Sequence, residues 1–350
     1  MQLPNIDNLP VNLLAACFNN TSATYKFYWL LSILQSVESG ETKILKRDLF
    51  ARMISNAWFT VNYFHVSFGK QDKLQRTIEV VKNFETLMID EDKEKIFQIL
   101  TKTKNGNTLR QLKYFNNQVP HWFLSPWFPR MKRTEIYNAS QSFRNKCLYA
   151  LFDDEIGINP EWKNYLFDNI RVLKDYCYWN LVIFLQAKNP NVPDIPNKLI
   201  KPAIRNSLTK QRTQFWDIVV KELGSVKCIY SGEKLTIGNY AVEHFIPYNF
   251  VSHDLIWNLI PASKSFNSSK SDKLPPLEKY FNPFFSLQKT AIEIIREKSP
   301  KNIFLEDYLT IFYDLDEIKN LPVNFTKEKF KERIQPLITI ASNNGFEFLK

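Results

Sequence analysis

Glu243 and His244 stand side by side, with Asn267 two dozen residues on, in the stretch Ala241-Val242-Glu243-His244-Phe245-Ile246-Pro247-Tyr248-Asn249-Phe250 and its continuation to Pro275. These residue types suit hydrolysis of a phosphodiester. That reaction needs a nucleophile made from water, a cation to neutralise charge on the phosphate, and a geometry that holds both in line. A hard divalent ion such as Mg²⁺, with Mn²⁺ as a substitute, takes few oxygen ligands from a protein and keeps several waters. The Glu243 carboxylate and the Asn267 amide oxygen can supply those ligands. An imidazole titrates near neutrality and accepts the proton of an attacking water, which casts His244 as the general base.

The elements that must position these groups are legible nearby. An apolar strand ends in the acid and the histidine, a loop follows, then a short apolar strand through Asp254-Leu255-Ile256-Trp257-Asn258-Leu259-Ile260, then a polar helix start. In this arrangement Lys227 to Pro275, about one seventh of the chain, resembles the HNH, or ββα-metal, endonucleases, and among them the HNH domain of RNA-guided CRISPR nucleases. The match lies in the spacing of acid, His, Asn, Asn and Lys, with Pro247 and the Asn-x-x-Lys-Ser-Asp ending. The resemblance implies that Glu243 and Asn267 bind metal and that His244 is the base. It further implies that Asn258 holds the loop and the base, and that Lys270 acts on the phosphate side. Two departures stand out. Glu243 replaces the usual Asp or His, adding a methylene but keeping a hard oxygen. Many HNH domains also bind a structural zinc through two CxxC knuckles, whereas the corresponding positions here are Cys228, Ser231, Ser263 and Phe266. One thiolate of four does not make a zinc site, so no structural zinc is expected. Packing of Ile229, Tyr230, Leu235, Trp257 and Leu259 should take its place.

The rest of the chain reads as an α+β protein, mainly α, with a helical domain over 1–203, the HNH domain over 204–285 and a helical extension over 286–350. Apolar periodicity predicts helices over Lys26–Leu34 with Thr21 or Ser22 as N-cap, and over Leu49–Trp58, Ile78–Leu87 and Lys93–Thr101. A long helix is predicted over Glu161–Ala187, opened by Asn159-Pro160. Pro190, Pro193, Pro196 and Pro202 mark a linker. Further helices are predicted over Thr209–Leu223, Leu287–Arg296, Phe304–Phe312 and Lys327–Ser342.

Composition bounds the remaining questions. A chain of 350 residues with 44% hydrophobic and 15% aromatic residues can fold around two cores, which excludes a disordered protein. Four scattered cysteines give neither a disulfide framework nor a complete metal site and fit a reducing cytoplasm. No signal peptide or membrane-length apolar run is evident. The net charge of +10 is uneven: between residues 101 and 150 nine cations face the single acid Glu135. They are interleaved with Tyr114, Phe115, Trp122, Phe123, Trp127 and Phe128, a mixture that suits a polyanion with stackable bases. Arg130, Lys132 and Arg133 are the candidate phosphate contacts, and Trp122 and Trp127 the candidate stacking rings. His65 and His121, set among aromatics, should pack, and His253 sits in the loop between the strands. DNA is the expected partner, with RNA left open. One HNH centre cuts one strand at a time, so duplex cleavage would imply a homodimer or sequential nicking, and a protein or guide partner is the other expected association. Restriction or phage defence, or a mobile-element endonuclease, suits such an architecture, and a non-cutting nucleic-acid scaffold is the alternative.

Overall fold

The computed structural model describes residues 2–200, 207–311 and 325–350. The chain divides into two compact units, one comprising Met1–Pro190 with Ile195–Ala203 and the other Asn191–Asp194 with Ile204–Lys350. Both are mainly helical with small antiparallel sheets.

In the first unit the helix Tyr25–Glu38 is buried over most of its length, because Phe27, Trp29, Leu30, Ile33 and Leu34 leave no polar face to present to water. It packs against Lys46–Asn62 and Ile170–Lys188. Its N-cap is Thr24 rather than Thr21 or Ser22. The reason is Asp72, whose carboxylate accepts from both the Thr24 amide at 2.6 Å and its hydroxyl at 2.7 Å. Asp72 also caps the next helix, Lys73–Phe84, by accepting from Leu74 N. The long helix expected over Glu161–Ala187 is two helices, Pro160–Asp168 and Ile170–Lys188. Asn169 separates them: its side-chain amide donates to the Tyr165 carbonyl at 2.9 Å while its backbone leaves helical geometry.

Three short strands went unread in the sequence. They are β1 (Lys43–Leu45), β2 (Tyr149–Leu151) and β3 (Glu155–Ile158), ordered β1-β3-β2 with antiparallel pairing throughout. The sheet closes one side of the helical core, and β2 is buried at every position.

The second unit opens with Thr209–Leu223, read as one helix; its middle, Arg212–Trp216, is wound as a π-helix. A small hairpin follows, β4 (Val226–Lys227) with β5 (Lys234–Leu235). The central hairpin pairs β6 (Ala241–His244) with β7 (Leu259–Ala262), and the helix Lys264–Lys270 completes the ββα order. Behind the hairpin lies Leu277–Lys298, which begins ten residues before the expected Leu287 because burial of Tyr280, Phe281 and Phe284 outweighs the cost of Pro283. Gln288 from this helix donates to the carbonyls of Leu259 at 2.8 Å and Ile256 at 3.2 Å, and the Phe284 ring stacks on Phe245 at 3.8 Å.

The helix expected over Phe304–Phe312 is a 3₁₀ run, Ile303–Thr310; Phe312, like Pro202 of the expected linker, lies outside the described residues. Threefold winding aligns Asp307 with Thr310, and these accept from Ile256 N and Trp257 Nε1, both at 2.8 Å. The last helix, Lys327–Asn343, packs on Leu277–Lys298, and the chain end pairs Phe348 with Leu274. The C-terminal helices thus belong to the same compact unit as the ββα segment. Among the described residues no helix is long and apolar enough to cross a membrane.

Candidate active site on the central hairpin

Antiparallel register sets Glu243 opposite Ile260 and His244 opposite Leu259. Neighbouring strand residues point to opposite faces, so the acid and the histidine look into different surroundings.

His244 is 7% exposed. Its Nε2 lies 3.0 Å from Asp254 Oδ1, and the Tyr248 ring meets it edge-on at 5.5 Å. An ionised carboxylate only accepts hydrogen bonds, so Nε2 carries the proton in this pair. The Nδ1 lone pair is thereby left to take a proton. Asp254 is a candidate site residue to which sequence reasoning assigned no role. It stands ten residues from His244 across a loop, and only the fold brings it back.

Glu243 is 3% exposed and both its oxygens are engaged. Oε1 lies 2.5 Å from Lys270 Nζ and Oε2 accepts from the Tyr230 hydroxyl at 3.1 Å. Burial first, and the Glu243 charge second, push the Tyr230 phenol well above its ordinary pKa, so it remains a donor. Lys270 is wholly buried and also donates to the His244 carbonyl at 2.8 Å. The lysine expected on the phosphate side therefore reaches inward to the carboxylate, tying the helix Lys264–Lys270 to β6. Breaking such a buried pair typically costs about 3–5 kcal/mol, because one charge is left uncompensated. Lys270→Met is expected to lower the thermal midpoint of this unit by roughly 6 to 20 °C, with Glu243→Gln in the same chain restoring part of the loss. An unchanged midpoint in differential scanning calorimetry would mean that the pair does not form in solution.

Asn258 is fully buried and brackets Ile246, accepting from its amide and donating to its carbonyl, each at 2.8 Å. Its own carbonyl accepts from Phe245 N at 2.7 Å. It thereby clamps the chain immediately after His244. Asn267 is half-buried on the helix Lys264–Lys270. It stands three residues before Lys270, hence on the same side of the helix as the lysine that reaches Glu243. Among the described residues no cluster of three or more His, Cys, Asp or Glu side chains is placed to hold a metal. An ion here would take Glu243, the Asn267 oxygen and water.

The four knuckle positions also meet in space. Ser263 N donates to Cys228 Sγ at 3.5 Å, Ser231 Oγ to Ser263 Oγ at 3.4 Å, and Phe266 stacks on Tyr230 at 4.6 Å. Hydroxyl contacts and an aromatic stack join the segments there, and Leu235, Trp257 and Leu259 are buried.

The geometry can be set beside known proteins. Residues 228–276 match the HNH endonuclease family. A stretch of 55 residues, 15% of this chain, is 38% identical to the CRISPR-associated endonuclease Cas9 of Listeria innocua serovar 6a, of which it spans 4%. No solved structure matches. The matched segment thus contains the central hairpin, the helix bearing Asn267 and Lys270, and every candidate catalytic and metal-binding side chain.

Of the other candidates, His121 is buried against Trp122, and burial, followed by the charges of Arg133 and Lys46, holds its pKa down to about 4. His65 is half-buried and His253 lies 5.2 Å from the Trp257 ring. Trp127 is core, whereas Trp122 is 54% exposed. All nine cations of residues 101–150, Arg130, Lys132 and Arg133 among them, are exposed.

Proposed function

We propose that this protein is a metal-dependent HNH endonuclease that hydrolyses DNA phosphodiester bonds. The observation that carries the reading is the His244–Asp254 pair, a buried imidazole whose Nε2 meets a carboxylate at 3.0 Å, which favours the Nε2–H tautomer and gives Nδ1 the lone pair of a base. The family match of residues 228–276 supports it. Glu243 and Asn267 would hold Mg²⁺ or Mn²⁺, which supplies charge neutralisation at the scissile phosphate when bound. The residues fit a hard cation in kind: a buried carboxylate that already holds one positive charge, with an amide oxygen on the neighbouring helix face. Lys270 competes for the same carboxylate oxygen and has to release it to the ion.

His244 takes the proton of the attacking water, and Asp254 keeps the ring in the correct tautomer and faces the imidazolium that forms. Asn258 fixes the turn after the base. Arg130, Lys132 and Arg133 are proposed to contact phosphates from the first unit, with a role in restriction, phage defence or mobile-element cleavage.

A second reading rests on Glu243, whose two oxygens are both taken by protein donors: an HNH scaffold that binds nucleic acid without cutting it. Nicking of supercoiled plasmid decides between them. The nuclease is expected to relax the plasmid in Mg²⁺ or Mn²⁺ and to stop in EDTA. Binding with no nicking in either ion would establish the scaffold.

A further inference from the structure

The first unit carries a cavity of about 380 Å³ walled on one side by Trp122, within the size range of ordinary small-ligand sites. Its lining is mixed, with Ala23 and Tyr25 beside the polar Asn20, Thr21, Lys26 and Gln118. Trp122 and Tyr25 are its aromatic walls, and Trp122 is 54% exposed although its neighbours His121 and Phe123 are buried. Its backbone and one ring face have partners. Ser125 Oγ donates to the Trp122 carbonyl at 2.8 Å, and the neutral His121 ring backs the indole at 5.2 Å.

Lys26 supplies the second, independent observation. Its ammonium donates to the carbonyls of Cys17 at 3.1 Å and Asn20 at 3.4 Å, and among the described residues it has no carboxylate within 4.0 Å. An ammonium has three donors. Two are satisfied by neutral oxygens, which leaves one N–H and the full charge for an anion. Two more cations lie beyond the cavity lining, the Lys73 ammonium over the Tyr114 ring at 4.8 Å and the Arg133 guanidinium over the Tyr137 ring at 5.5 Å. Arg133 bonds Asn117, next to Gln118, and the Lys73 amide donates to the Tyr25 hydroxyl at the cavity wall. Neither has a carboxylate partner among the described residues.

We propose that this cavity binds an unpaired nucleotide of a single strand, its base stacked on Trp122, its phosphate on Lys26, and the flanking phosphates on Arg133 and Lys73. A flat π-face beside a cation suits every base, and the side-chain amides of Asn20 and Gln118 offer donors and acceptors to a base edge. A strand is favoured over a free nucleotide because cations continue past the cavity, where a lone nucleotide has nothing to give them. The inference rests on the reading of this chain as a nucleic-acid enzyme but concerns the first unit alone.

The test is anisotropy binding of the full-length protein in EDTA, where nothing is cut. The probes are a short single-stranded deoxyoligonucleotide, the same sequence as RNA, the blunt duplex, and mononucleotides as competitors. Trp122→Ala is expected to weaken single-strand binding roughly 5- to 150-fold, the span of base–aromatic stacking, with Trp122→Phe retaining most of the affinity and duplex binding unchanged. Lys26→Met is expected to reduce the salt slope by ~0.7 log unit, one phosphate contact on a single strand. Loss on either single strand supports the proposal, and the two arms identify the sugar. It falls if Trp122→Ala binds single strands like the parent, if duplex affinity drops equally, or if mononucleotides compete as well as the strand. Plasmid nicking by the parent in Mg²⁺ separates the two readings: nicking with unchanged Trp122→Ala binding removes the cavity and keeps the nuclease, and the reverse pair of results keeps only the cavity.

Discussion

The His244→Ala variant is expected to bind DNA as the parent does and to nick plasmid about 10² to 10⁴ times more slowly, the usual worth of a general base. The alanine deletes the Nδ1 lone pair while leaving Glu243, Asn267 and the cations of the first unit in place. The side chain lost is buried and touches Asp254 and the edge of the Tyr248 ring, so the thermal midpoint is measured alongside the rates. The β6–β7 pairing runs through backbone groups that alanine keeps. Rates over a Mg²⁺ and Mn²⁺ series, with DNA binding measured in Ca²⁺, separate chemistry from affinity. Asn267→Ala should behave differently, raising the metal concentration needed for half-maximal rate, since it removes an oxygen from an ion that has few; Glu243→Ala should do the same and also lower the thermal midpoint, because it leaves the buried Lys270 ammonium uncompensated. If His244→Ala nicks as fast as the parent under saturating metal, the base lies elsewhere and the HNH mechanism does not apply to this chain.

The residues at the centre of that experiment were readable from the sequence because their pattern is local. Strand, loop, strand and helix follow within Lys227–Pro275, and the structure places β6, β7 and Lys264–Lys270 in that order. What the sequence hid was partnership. Nothing in the spacing of Glu243 and Lys270 says that their charges meet in the interior, and a lysine near a polar helix end reads as exposed. The same holds for Asp254, an acid in a loop until the hairpin folds it onto His244. Among the helices, periodicity located the elements and missed the ends. At Asn169 one side-chain hydrogen bond divides a continuous apolar pattern, and at Thr24 the cap is chosen by Asp72, 48 residues away. Strands β1 to β3 are three or four residues long, too short for alternation to emerge. Trp122 and Trp127 were indistinguishable as letters, and packing made one a core residue and the other a surface ring.

Asp254→Asn is expected to slow nicking by a factor on the order of 10² to 10⁴ while leaving DNA binding and the thermal midpoint near those of the parent. The substitution keeps size and a hydrogen-bond contact, so the fold has little reason to change. What it alters is the proton. Aspartate accepts only, which obliges His244 to present Nε2–H and leaves Nδ1 bare. Asparagine can accept through its oxygen or donate through its nitrogen, and the second choice puts the imidazole proton on Nδ1, where it blocks the base. The neutral amide also fails to stabilise the imidazolium that forms as water gives up its proton. Asp254 touches neither substrate nor metal in this account and acts through His244, so it is a positioning residue, and its role needs a readout that a merely structural residue would leave alone. Nitrogen-15 chemical shifts of the imidazole provide one: the chain has four histidines, and comparison with His244→Ala assigns the ring. In the parent His244 should appear as the Nε2–H form, and in Asp254→Asn as a mixture or as the Nδ1–H form. A variant that keeps the parent tautomer and the parent rate would remove Asp254 from the mechanism and leave His244 to act alone.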